Sequence, residues 1–284
     1  MRTGNILSSA ALALVLAGCA TAGPDYAPPQ NAAANAPSAQ GAFLSAQGPA
    51  FESAPLPDRW WHLFEDPRLD QLVEQALTAN ADLREADANL RRADALVREA
   101  AGQRALSTTA SANAGLERDY SPVSARTNMP GVGTYDLGLS LSYPLDLNGK
   151  LRRAIEASEA ERDAVQAARD AVRISVAAAT TRAYTEVCAA DYPRDVEDCA
   201  TLPRLTLPMP VGDGAALIRR RPDIRQAERT IAADTARIGV ATADLYPRVS
   251  IGGGLISSGK LSDVGSSHSF GFSLGPLLSW SFPN

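Results

Sequence analysis

Histidine, cysteine and basic charge are scarce in this chain, and each scarcity removes a class of function. Only two histidines occur in 284 residues, His62 beside a tryptophan pair and His268 in a Gly/Ser-rich loop. Neither belongs to the clustered donor set that a metal or a general base requires. Lys and Arg number 27 against 32 Asp and Glu, a net charge of −5 with a pI near 5.2. A nucleic-acid partner is therefore not expected, because it needs a basic face to displace counterions from phosphates. The tight basic cluster 219-RRR-221 closes a short helical stretch, 213–221, where cations complement the negative end of the helix dipole before Pro222 opens the next helix. The glycine groups 131-GVG-133 and 252-GGG-254 lack a following Lys-Ser/Thr and do not open a helix, so they are read as turn and strand positions. Asp223, Glu228, Asp234 and Asp244 lie along one charged helix face, the pattern of a solvated surface. No enzymatic activity and no cofactor is expected.

A long apolar run is also missing: nothing reaches the roughly 20 residues of a membrane-spanning helix. The stretch 6-ILSSAALALVLA-17 follows Arg2 and precedes 16-LAGC-19, which reads as a secretory signal peptide over residues 1–18. Small residues before a cysteine match the bacterial lipobox, in which Cys19 is acylated and becomes the first mature residue; the alternative is an ordinary signal peptide whose cleavage site happens to include a cysteine. Ala20 rather than Asp after it favours sorting to the outer membrane. Export permits disulfides; Cys188 and Cys199 can pair, or can remain two separate thiols, one on a helix and one in a loop. Residues 19–57, rich in Ala, Pro, Gly and Asn, read as a flexible lipid-anchored tether.

What is abundant is alanine at heptad spacing. After Trp60, Trp61 and Phe64, Asp66-Pro67 signals a helix start. From there Leu69, Ala76, Leu83, Leu90 and Val97 run seven apart, beside Leu72, Ala79, Ala86, Ala93 and Ala100. The same style returns in 150–189, with Ala157, Ala164, Ala171 and Ala178 on one row and Ala160, Ala167 and Ile174 on the next. In 222–246 the row is Ile224, Ile231, Ile238 and Leu245. All three segments are predicted to be helices of a coiled-coil-like wall whose alanine seams allow close approach.

Between the helices the period changes from seven to two. In 134–148 Tyr135, Leu137, Leu139, Leu141, Tyr143, Leu145 and Leu147 alternate with Thr, Asp, Gly, Ser, Ser, Pro and Asp. In 269–283 Phe270, Phe272, Leu274, Pro276, Leu278, Trp280 and Phe282 alternate with small residues broken by Leu277. Weaker strands, 107–117 and 248–257, precede them, giving two hairpins. The strands match the roughly 9–11 tilted residues that cross an outer membrane; a soluble sheet packed on helices would give the same alternation, but its opposite face would usually carry more Lys, Arg and Glu than the Gly and Ser here. On the membrane reading the apolar rows face lipid, and Ser140, Ser142, Gly271 and Ser273 face a lumen. Pro144 and Pro276 each remove a ladder donor.

The order is therefore helix, hairpin, helix over 58–189, a loop and short helix over 190–221, then helix and hairpin over 222–284. This is an internal duplication whose second copy ends early. The fold class is α plus transmembrane β, with four strands contributing to an oligomeric barrel.

The lipobox with 23-GPDYAPP-29, the stretch 60-WWHLFEDPRLDQLVEQAL-77 and the long segment 219-RRRPDIRQAERTIAADTARIGVATADLYPRVSIGGG-254 together resemble the TolC-like outer-membrane factors of tripartite efflux pumps. The resemblance covers nearly all of the chain. It implies a homotrimer with a twelve-stranded barrel and a periplasmic helical tunnel, a periplasmic adaptor and an inner-membrane resistance-nodulation-division pump as partners, and anchorage in a Gram-negative outer membrane through acylated Cys19. It also implies a returning helical hairpin after residue 189, on the order of 80 residues, and a counterpart after Asn284, neither of which this sequence contains. Two readings follow: a passive efflux channel, or a lipid-anchored remnant of one that does not transport.

Overall fold

A computed structural model describes residues 21–41, 43–46, 48–117, 131–189, 202–205 and 208–281. Its helices are α1 (Pro67–Ala79), α2 (Ala81–Gly102), α3 (Lys150–Ala189), α4 (Gly214–Arg220) and α5 (Pro222–Ala243). Its strands are β1 (Phe51–Glu52), β2 (Ser107–Glu117), β3 (Val132–Leu145), β4 (Met209–Pro210), β5 (Arg248–Lys260) and β6 (Phe270–Ser279). The chain divides into two units whose boundaries fall inside α2, α3 and α5. One comprises residues 25–97 and 156–236, the other residues 1–24, 98–155 and 237–284.

The first unit is helical, and its core begins at the tryptophans. Asp66 caps α1 through Oδ1, accepting from the amides of Arg68 (2.9 Å) and Leu69 (3.1 Å), while its Oδ2 accepts the Tyr184 hydroxyl of α3 at 2.9 Å. This fixes α1 against α3 and buries Trp61, Leu69, Val73 and Ala177 together, with Phe64, Leu77 and Tyr184 around them. Arg173 stacks 6.0 Å above the Trp61 ring. Salt bridges Arg169–Asp87 (2.8 Å) and Arg225–Asp170 (3.1 Å) tie α3 to α2 and to α5.

The single helix expected from the heptads is in fact two. Asn80 takes extended dihedrals (φ −65°, ψ 133°), and its side chain accepts the Leu83 amide at 2.9 Å, so one residue ends α1 and caps α2. Leu69, Leu83 and Ala93 of the expected rows are buried, and Val73, outside both rows, is buried as well. In α3 the seam runs through Ala157, Ala160, Ala164 and Ala167 and then moves to Ala177 and Thr181, leaving Ile174 47% exposed. On α5 the single chain buries a different row from the one at heptad spacing. Ile224, Ile231, Ile238 and Leu245 are 41–55% exposed, while Ala232, Ala233, Ala236 and Ala243 are buried. Ala160, Ala232 and Ala233 meet directly with Tyr26 packed on them. Backbones that approach this closely have room only for a methyl group, so the isoleucines turn outward.

The segment expected to be a flexible tether makes specific contacts over its described residues. Ala34 is buried, β1 pairs in parallel with β4, Arg219 donates to the Asn35 side chain, and Arg220 donates to the Leu56 carbonyl and to Asp58. The arginine cluster thus holds this segment as well as closing α4, whose N-cap is Asp213.

The second unit is a four-stranded antiparallel sheet in the order β2-β3-β5-β6, two hairpins joined through β3 and β5. β3 ends at Leu145, earlier than expected, because Asp146 leaves the ladder to cap α3, accepting from the amides of Leu151 (3.0 Å) and Arg152 (2.9 Å). β6 ends at Ser279, after which the Trp280 indole donates to the Leu245 carbonyl at 3.2 Å. Phe282 lies outside the described residues.

Candidate functional site

Residues directly opposite in an antiparallel sheet share a face, so the register decides whether the alternation within each strand adds up to a surface. It does. One face carries the rungs Ala112–Leu137–Ser257–Phe270, Ala110–Leu139–Leu255–Phe272, Thr108–Leu141–Gly253–Leu274, Tyr143–Ile251–Pro276 and Leu145–Val249–Leu278. The other carries Asn113–Asp136–Ser258, Ser111–Gly138–Ile256–Gly271, Thr109–Ser140–Gly254–Ser273 and Ser107–Ser142–Gly252–Gly275. A slip of one residue in any pairing would mix the two faces.

The apolar face has no cover within the unit: Phe272 and Leu274 are 84% and 80% exposed. The large aliphatic and aromatic side chains along these rungs, most of them left open, form a surface suited to hydrocarbon rather than water. The opposite face is lined by hydroxyls, glycines, an amide and the Asp136 carboxylate, interrupted by Ile256 and Leu277. A Cβ at Gly252 would lie 2.7 Å from Leu277 Cδ1, so a larger residue there would have to turn that exposed side chain aside. The prolines fit the ladder where donors are dispensable: β2 stops opposite Ser142, so Pro144 has one neighbouring strand, and Pro276 sits on β6 at the sheet edge.

At the hairpin end a buried polar group interrupts the apolar face. The Tyr135 hydroxyl lies 3.0 Å from Ser257 Oγ, which lies 3.2 Å from Ser269 Oγ, and Ser269 donates to the Ser266 carbonyl at 2.8 Å. These bonds hold the 261–269 connection to β3 and β5. The sequence gives one cue to them, a serine at position 257 in a row that is otherwise Ile251, Gly253 and Leu255. At the helix end Asp244 accepts from Lys150 and from Arg248, the latter at 2.6 Å. The Lys150 hydrogen bond, helped by Arg248, holds the Asp244 carboxyl below its ordinary range. Asp223 is likewise lowered, chiefly by its hydrogen bonds from Arg221, and Glu228 pairs with Arg229. These carboxylates are engaged with cations, as a solvated face predicts. His62 Nδ1 contacts Asp70 at 2.8 Å.

The sheet brings Ser140, Ser142, Gly271 and Ser273 onto one face, and the strand register assembles them from both hairpins. Cys188 lies in the last turn of α3 and is in a disulfide. Cys19 and Cys199 lie outside the described residues. Among the described residues no helix is long and apolar enough to cross a membrane, and no cluster of His, Cys, Asp and Glu is arranged to hold a metal.

With this geometry in hand, the comparisons with known proteins are specific. The profile of the family described as "Outer membrane efflux protein" matches residues 72–195. Nodulation protein T of Rhizobium leguminosarum bv. viciae is 29% identical over 329 aligned positions, covering 89% of this chain and 64% of that protein. This chain therefore spans less than two thirds of that relative's length, and since 329 positions exceed its 284 residues, the relative has residues without a counterpart here. The probable outer membrane lipoprotein SilC of Salmonella typhimurium is 32% identical over 63% of this chain and 37% of its own. Among solved structures, the outer-membrane channel OprN superposes with a TM-score of 0.67 at 30% identity, covering 91% of this chain and 72% of that one. The shared order of helices and paired strands, at that identity and coverage, makes this chain a member of the Outer membrane efflux protein family, with the TolC-like channel fold.

Proposed function

We propose that this chain supplies four strands to an outer-membrane barrel built from several copies, and that the assembled barrel is a passive, non-enzymatic duct for small solutes. The observation that carries the reading is the segregation of apolar and small polar residues onto opposite sheet faces, in register across both hairpins. Four strands cannot close a transmembrane barrel, whose smallest single-chain form has about eight, and open edges are not tolerated in hydrocarbon. Further copies must therefore supply the missing strands. A homotrimer with a periplasmic adaptor and a resistance-nodulation-division pump is the assembly that the family membership supports. In it the Leu/Phe face meets lipid, and Ser140, Ser142, Gly271 and Ser273 line the lumen. Cys19 carries the lipid, a role consistent with a lipoprotein relative, and Cys188 pairs with Cys199 across the loop after α3.

Expression in a Gram-negative strain lacking its own outer-membrane factor tests the duct, with drug resistance as the readout. Restored resistance supports transport; chain that never reaches the outer membrane refutes the barrel. A second reading, a membrane-inserted but non-transporting form, is favoured by the aligned relative's additional residues and by α3 itself. Its 40 residues span about 60 Å at 1.5 Å each, against the roughly 100 Å tunnel that the TolC-like resemblance implies. Normal insertion without resistance would select that reading. Mass spectrometry of the mature N-terminal peptide tests the lipid, and an unmodified N-terminus at Ala20 or later would exclude it.

A further inference from the structure

The first described residues, 21–24, are clamped to the sheet unit by groups that no function above uses. Arg153, one turn into α3, is 3% exposed. Its Nε donates to the Ala22 carbonyl at 3.0 Å and its Nη2 to the Gly23 carbonyl at 3.2 Å, while the Ala22 amide donates to the Asn148 carbonyl at 3.0 Å. Three glycines make room for this contact. Gly149, at φ +71°, faces Thr21 so closely that a Cβ would come within 2.2 Å of Thr21 Cγ2. Gly23, at φ +79°, lies on Gly239 of α5, where a Cβ on Gly23 would be 2.4 Å from the Gly239 Cα. A Cβ on Gly239 would in turn meet both the Ala22 carbonyl and the Arg153 stem at 2.9 Å. A helix-interior glycine is less favourable than alanine, and here its use is to admit a second backbone.

We propose that Arg153 is a positioning residue that locks Thr21–Gly23 to the junction of β3 and α3, so that a lipid on Cys19 is held at that end of the sheet. Only Ala20 lies between Cys19 and Thr21, so covalent reach confines Cys19 to within about 7 Å of Thr21. The bidentate guanidinium suits this task because one rigid fork reaches two successive carbonyls at once. The anchor then sets the membrane level at the foot of β3, three residues beyond its last rung. The lipid half of this inference rests on the acylation proposed above; the clamp does not.

Hydrogen exchange on the full chain in detergent micelles, read at the Ala22 amide, tests it. In Arg153→Met the Ala22 amide should exchange at least tenfold faster while β2, β3 and β5 keep their protection, and Arg153→Lys, with no fork, should fall between. Gly23→Ala leaves Arg153 in place and should produce the same local acceleration, which decides the matter if Arg153→Met unfolds the unit. Unchanged Ala22 exchange in Gly23→Ala and Arg153→Met overturns the clamp. The mass of the Cys19 peptide is read on the same samples: loss of the acyl group there overturns acylation alone, and the exchange data still judge Arg153.

Discussion

Replacing Leu139 and Ser140 by arginine, one at a time, separates a lipid-facing sheet from one that merely alternates. The two residues are neighbours in the middle of β3, and their rungs, Ala110–Leu139–Leu255–Phe272 and Thr109–Ser140–Gly254–Ser273, lie on opposite faces. If the apolar face meets lipid, Leu139→Arg places a cation near the bilayer midplane. The cost there is about 2–4 kcal/mol, or about 30- to 900-fold in the folding equilibrium. Ser140→Arg would project into a watery lumen and should change stability by less than about 0.5 kcal/mol. In water neither substitution would cost much, because Leu139 is already 41% exposed in the isolated chain. The difference between the variants therefore measures lipid contact and not sheet propensity, since both put the same residue in the same strand. Denaturant titration of the chain folded into phospholipid bilayers supplies the free energies, and the fraction of chain in outer-membrane pellets gives the cellular counterpart. Equal costs at the two positions, or a larger cost at Ser140, would refute the assignment of faces.

Leu69→Ala, in the fully buried cluster with Trp61 and Val73, should destabilise the helical unit by about 3 kcal/mol through lost transfer and a residual cavity. Chemical denaturation followed by Trp61 fluorescence reads this directly. The Asp244 carboxyl, lowered by Lys150 and Arg248, contributes stability that is present above its ordinary value of 3.8 and lost as pH falls through the lowered folded value. Asp244→Asn should therefore flatten the acid limb of stability below about pH 4. Because the pair is partly exposed to solvent the effect stays below about 1 kcal/mol, and superimposable profiles for the two proteins would contradict it. For the disulfide, thiol counting on the unfolded, unreduced protein should find neither Cys188 nor Cys199 titratable. Closing a loop of about a dozen residues contributes roughly 3 kcal/mol, and two free thiols would remove the proposed pairing.

The strands were legible in the sequence because a sheet face is a direct projection of period two. Tyr135 to Leu145 alternate without error, and the observed rungs preserve that alternation across both hairpins. Strand ends were less legible, because Asp146 is as acceptable in a strand as in a cap and only the fold decides that its carboxylate serves α3. The split at Asn80 was hidden for a related reason: a heptad counts positions, and a capping asparagine can turn the chain without disturbing the count. Arg153 left no local trace, since a buried arginine looks like any other charge on a helix, although Gly239 inside α5 was a cue to a close approach. The two-residue pairing of β1 with β4 lies far below any periodicity signal.

The isoleucine row that α5 leaves uncovered has a physical cause and a consequence. Hydrophobicity alone points to Ile224, Ile231, Ile238 and Leu245 as the inward row, but the distance between helix axes is set by the smallest side chains available. Ala232 and Ala233 against Ala160 bring the backbones too close for isoleucine. The large residues are displaced to the outer surface, where four of them stand about half exposed. Burying such a side chain fully is worth about 1.5–3 kcal/mol, so covering the remaining half of all four is worth roughly 3–6 kcal/mol per protomer. That is a large fraction of a typical domain stability of about 5–15 kcal/mol, and one chain leaves it unrealised. The sheet presents the same incompleteness in another form, with β2 and β6 as free edges whose backbone groups cannot remain unpaired in lipid. An isoleucine row needs apolar cover and a strand edge needs hydrogen bonds, so the two deficits differ in chemistry. In the proposed barrel of several copies, further copies of the same chain would supply both, which is why assembly and function are a single proposal for this protein.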